Sequence, residues 1–118
     1  MTDDGLDGEK RLAATEEMVE RALGWQSSNV AALAQAIANK QHVEQWLKVV
    51  EAQEKAKHKE EAAHVQEREA RASTPYQAAV AAFRDAVREE QRLRYTWQLT
   101  ETLIEVWRTK CANDHMAL

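Results

Sequence analysis

Thr74-Pro75-Tyr76-Gln77 is the clearest local signal in the chain. Thr74 can cap a helix, Pro75 suits a first helical position, and Gln77 sits where a capping box needs it. From Pro75 to about Ala112 no further helix breaker occurs, and Asn113-Asp114 ends the run. Upstream, Val30 to Ala72 contains no Gly and no Pro, and Ala, Glu, Lys, Gln and Arg dominate. That composition predicts a helix over 28–72, on the order of 60 Å long at the usual rise per residue. Ser27-Ser28-Asn29 offers its N-caps. Gly24 is read as the stop of a shorter helix over 9–23, with Leu12, Met18, Val19, Ala22 and Leu23 as its apolar stripe. Residues 1–8 form an acidic leader. The expected fold is all-α: a short N-terminal helix plus a long antiparallel helical hairpin, its arms 28–72 and 75–112 joined by a short link.

Composition narrows the class further. A chain of 118 residues supports one domain, and three Gly with one Pro are too few turn-formers for a sandwich or barrel. No run of eighteen apolar residues is present, and no apolar leader is visible, so a cytoplasmic protein is expected. The lone Cys111 excludes an internal disulfide and fits a reducing compartment. The formal charge is −4. Its acidic excess is concentrated in residues 1–20, where Asp3, Asp4, Asp7, Glu9, Glu16, Glu17 and Glu20 face only Lys10 and Arg11. A surface basic enough to grip duplex DNA by itself is not indicated.

With a bend near 72–74, Val50 is expected opposite Trp97, Leu47 opposite Thr100 and Val43 opposite Ile104. That register gathers Val30, Leu33, Ile37 and Trp46 with Leu93, Leu103 and Trp107 at the open end. Between Glu51 and Ala72 only Val65 is apolar and larger than Ala, which predicts a thin coiled-coil-like arm there. On the third helix Leu93, Trp97, Ile104 and Trp107 make one stripe, and Tyr95, Leu99 and Val106 make a second. Two stripes exceed what one hairpin covers, so a homo-oligomer is expected, with coverage by the first helix as the alternative.

The chain is poor in catalytic groupings. His58 and His64 fall on different helix faces, and Glu61-Ala62-Ala63-His64 is a single copy of a motif that di-iron bundles need twice. Ser27, Ser28 and Ser73 are explained as caps, Cys111 as a buried or incidental thiol, and no glycine-rich phosphate loop exists. We expect neither metal nor cofactor, and no enzyme. Binding chemistry remains. Arg84, Arg88 and Arg92 repeat every fourth residue, a guanidinium ladder that Glu89, Glu90, Glu67 and Glu69 could neutralise. Arg92, Arg94, Tyr95 and Trp97 form a second cluster, with Arg108 and Lys110 further on; basic groups beside aromatics hold phosphates and stack bases, and the same spacing also serves a core.

Val65-Gln66-Glu67-Arg68-Glu69-Ala70, and Ile104-Glu105-Val106-Trp107-Arg108-Thr109 with Ala112-Asn113, resemble the motifs of small helical proteins of tailed phages and prophages. In that family Val-Ala-Glu-Arg-Glu is followed, after a helical spacer, by Ile-Glu-Val-(Trp/Phe)-Arg-(Thr/Ser). The resemblance covers about residues 45–113 and departs at Gln66, where the family has Ala. Such proteins are encoded beside single-strand annealing proteins and exonucleases. The resemblance implies a non-catalytic recombination accessory acting through a protein partner or single-stranded DNA, and marks Glu67, Arg68, Trp107 and Arg108. The outline of one short and two long helices also looks similar to phage counter-defence proteins that sequester cyclic nucleotide signals between subunits. Arg and Tyr or Trp would line such sites.

Overall fold

The computed structural model describes residues 15–117, with side chains to His115. It is all-α: α1 spans Glu16–Ala56, α2 Ala63–Ala72 and α3 Thr74–Ala117. The acidic leader and the first residues of the expected helix 9–23 lie outside the described residues.

At its C-terminal end α3 passes through Asn113-Asp114, expected as the stop, and reaches Ala117. Two further helix boundaries differ from expectation, for different physical reasons. No interruption occurs at Gly24 or Ser27-Ser28-Asn29; α1 passes straight through them. Glycine inside a helix costs about 1 kcal/mol relative to alanine, too little to stop one packed on both sides of that point. Asn29, expected as a cap, donates instead from Nδ2 to the Trp25 carbonyl at 2.9 Å, one turn back. The second difference is the reversal, which falls at 57–62 and not at 72–74. Residues 57–62 have good helical propensity but offer no apolar face, so helix extended through them would bury nothing. The turn is closed by amides: Lys57 N–H donates to the Glu54 carbonyl at 3.2 Å, His58 to Lys55 at 2.9 Å and Glu61 to His58 at 2.9 Å. Gln66 Nε2 adds a bond to the Glu61 carbonyl at 2.8 Å.

At the site of the expected bend there is a one-residue joint. Ser73 is extended (φ −69°, ψ 149°) between α2 and α3. Its hydroxyl donates to the Ala70 carbonyl at 2.6 Å and accepts the Tyr76 N–H at 3.3 Å. Ser73, not Thr74, therefore caps α3, and Gln77 reaches back from Nε2 to the Arg71 carbonyl at 2.6 Å. The arms of the hairpin are thus α1 and α3, and residues 57–73 connect them.

The chain divides into two compact units: residues 15–31 with 93–117 (unit 1), and residues 32–92 (unit 2). In each, α1 and α3 run antiparallel and meet along positions spaced alternately three and four apart, the spacing of a coiled-coil seam. In unit 1 the seam comprises Val19, Ala22, Gln26 and Asn29 on α1 with Leu93, Trp97, Thr100, Ile104 and Trp107 on α3, all buried or half-buried. Gln26 Nε2 donates to Thr100 Oγ1 at 2.8 Å, and the rings of Trp25 and Trp97 meet edge to face at 6.3 Å. These contacts replace the expected pairing of Trp97 with Val50 and of Thr100 with Leu47, because moving the reversal toward residue 60 moves every partner with it.

In unit 2 the α1 seam is Leu33, Ala36, Lys40, Val43, Leu47, Val50 and Glu54. Ala79, Ala86 and Glu90 of α3 are buried, and Ala70 of α2 is fully so. Buried alanines permit close helix approach. Two acidic groups occupy this seam, Glu90 with Lys40 Nζ at 3.3 Å and Glu54 with Lys57 and Ser73. The expected rich core at the open end is not observed: Val30 and Trp46, assigned to it, are 53% and 48% exposed. Among the described residues, the only buried apolar side chains larger than Ala are Val19, Val50 and Leu93.

Candidate interaction surfaces

The arginine ladder lies on α3 in unit 2 and is unevenly neutralised. Arg92 is held by Glu89 through two hydrogen bonds, Nη2 to Oε1 at 2.6 Å and Nε to Oε2 at 3.1 Å. That contact lowers the Glu89 carboxyl below its ordinary range and raises Arg92, so both stay charged. Arg88 is 4.0 Å from Asp85, with both side chains largely in water. Arg84 has no ion-pair partner among the described residues. Arg84 and Arg88 line a shallow cleft of about 340 Å³ with Phe83, Val87 and Gln91. The expected neutralisers on α2 are used elsewhere: Glu67 pairs with Arg71 at 2.6 Å and Glu69 with Arg68 at 3.5 Å. Glu67 and Arg68 are therefore surface ion-pair members on α2, in the same unit as the ladder.

The second cluster, apart from Arg92, is dispersed over unit 1. Tyr95 is 65% exposed on the outer side of α3. Trp97 faces the seam and donates from Nε1 to Glu101 Oε1 at 2.8 Å. Arg94 is exposed and engaged in an interaction of its own. Trp107 is half-buried, with Lys110 Nζ 5.9 Å from its ring centroid, a cation–π distance. Arg108 Nη1 donates to Glu105 Oε1 at 2.9 Å.

Unit 1 also carries apolar surface. Tyr95 and Leu99 are each more than 60% exposed, and Leu23, Val30 and Val106 are exposed as well. The described part of the N-terminal helix covers the Trp97 stripe and leaves the Tyr95 stripe open. A groove of about 550 Å³ runs between the arms, lined by Met18, Arg21, Ala22 and Trp25 of α1 and by Thr96, Thr100 and Leu103 of α3. This groove was missed in the sequence. Its signal is the pairing of Met18 with Trp25 and of Thr96 with Leu103, each seven apart and one step beside the seam, visible only once the register is known.

The remaining candidates separate. Cys111 is exposed, which removes the buried reading. Glu61 lies in the turn, within 3.3 Å of His58, while His64 is exposed on α2, so the Glu-x-x-His motif does not present one helical face. Among the described residues no group of three potential metal ligands comes together, and no helix is long and apolar enough to cross a membrane. Comparison with known protein families, curated proteins and solved structures finds no match.

Proposed function

We propose that the chain is a non-catalytic, self-associating helical interaction protein of the phage type its motifs resemble. In this reading it assists DNA recombination by meeting a DNA-bound protein or single-stranded DNA. The observation that carries the contact is the free end of the arginine ladder. Arg84 and the loosely held Arg88 stand in water beside Phe83 and Gln91, while Arg92 is clamped by Glu89. A guanidinium without a carboxylate partner keeps its planar donor fork available for phosphate. The exposed apolar face of unit 1 supports self-association.

Fluorescence anisotropy with a labelled single-stranded oligonucleotide tests this directly. Binding is expected to weaken as salt rises from about 50 to about 200 mM, with a slope of about 0.7 per phosphate contact. Arg84→Ala with Arg88→Ala is expected to flatten that slope. No binding at low salt sinks the direct DNA contact. A thermal-shift panel with cyclic di- and trinucleotides distinguishes sequestration, which would stabilise the protein by about 2.7 kcal/mol at a hundredfold excess over Kd.

A further inference from the structure

We propose that unit 1 is a homodimer interface, in which α3 lies parallel to α3 of a second copy along a second coiled-coil seam. This rests on the reading of the chain as self-associating and specifies the surface and orientation. Tyr95, Leu99, Thr102, Val106 and Thr109 follow one another at spacings of four, three, four and three. On a helix that spacing makes one continuous stripe. It lies on the side away from Trp97, Thr100 and Ile104, which are spent on α1. All five residues are exposed, although three are large apolar side chains. An open groove of about 780 Å³ runs beside Thr102, Val106 and Thr109, giving room for a partner's side chains.

Charge selects both occupant and orientation. The positions that border the stripe directly are Gln98, Glu105 and Ala112 on one side and Thr96, Leu103 and Lys110 on the other, so Glu105 and Lys110 are its two bordering charges; Glu105 also accepts from Arg108 of its own helix. Two parallel helices related by a twofold axis along their length bring unlike flanks together. A residue flanking the seam then meets the one five positions further along the other helix, so Glu105 falls beside the partner's Lys110. In an antiparallel pair like flanks meet, and Glu105 loses the partner's Lys110. The two charges that border the stripe are therefore complementary in the parallel orientation.

Light scattering and a cysteine variant test the proposal in the full chain. The expected mass is twice the 13.5 kDa of one chain. Thr109→Cys in a Cys111→Ala background is expected to form a disulfide-linked dimer on mild oxidation, since a parallel seam sets position 109 against itself. Leu99→Glu, at a site already exposed, is expected to weaken association at least about a hundredfold with unchanged helical circular dichroism. Glu105→Lys is expected to weaken it about tenfold, and adding Lys110→Glu to restore it. A monomer at all concentrations overturns both this interface and self-association. A dimer that Thr109→Cys does not link, or that Leu99→Glu leaves intact, overturns the interface alone.

Discussion

Unit 2 hides alanine and charge, whereas unit 1 leaves leucine, valine and tyrosine in water. In unit 2 the buried positions are Ala36, Val50, Ala70, Ala79 and Ala86 with Glu54 and Glu90, and the large apolar side chains outside are Trp46 and Val49. Unit 1 buries Val19, Ala22, Leu93 and Thr100 and exposes Leu23, Val30, Tyr95, Leu99 and Val106. Both use the same antiparallel seam. The contrast teaches that the seam alone does not assign function to a helix. Unit 2 packs segments of three helices on one another and leaves Trp46 and Val49 as its exposed large apolar side chains, while unit 1 leaves five such side chains in water.

The largest expected effect on stability is at Leu93, which is 2% exposed. Leu93→Ala is expected to cost about 3 kcal/mol, read as a lower urea midpoint, because few other large side chains share the burial. In unit 2 the corresponding break is overpacking. Ala70, fully buried, has no room for growth, and Ala70→Leu is expected to cost about 2 kcal/mol in the same assay. Gly24 works in the opposite direction: a Cβ there meets nothing within 4 Å, and its φ is not positive. Gly24→Ala is expected to stabilise unit 1 by about 0.8 kcal/mol, seen as a raised Tm.

The smallest effect is the pH dependence at Glu54. Its carboxyl is held below the ordinary range, chiefly by the hydrogen bond from Lys57, with Ser73 adding to it. A carboxylate that ionises more readily when folded contributes stability above its unfolded pKa and loses it as pH falls through the folded value. Stability is therefore expected to drop from about pH 5 toward about pH 3, and Glu54→Gln to make that drop shallower. An unchanged acid limb in the variant would show that Glu54 plays no part in it.

The all-helical fold is legible in residues 30–56 and 75–112 because breakers are absent there and propensity agrees with tertiary packing. The reversal is not legible. Lys57 to Ala62 has the propensity of helix, and only the chance to bury Ala70 and to pair Glu54 with Ser73 makes turning back favourable. Gly24 misleads in the other direction, since a cost of about 1 kcal/mol reads as a stop until packing around it is known. Once the reversal is misplaced, every partner across the hairpin is misplaced as well. The Tyr95, Leu99 and Val106 stripe survives that error because it depends on α3 alone. The Arg84 ladder was legible for the same reason, but its uneven neutralisation was not. Asp85 and Glu89 lie at equivalent helical spacing from Arg88 and Arg92, and only side-chain geometry separates a 4.0 Å approach from a two-bond clamp.

The two acidic positions inside unit 2 act together as a combination lock. Lys40 and Glu54 lie fourteen residues apart on α1, while their counterparts Glu90 and Ser73 lie seventeen apart on the return. Sliding one arm by a heptad takes Glu90 from Lys40 and Ser73 from Glu54 at the same time. Lys40 would come to rest near Phe83, and a charge would be stranded against an apolar layer. Alanine layers, which tolerate almost any alignment, thereby acquire a single permitted one.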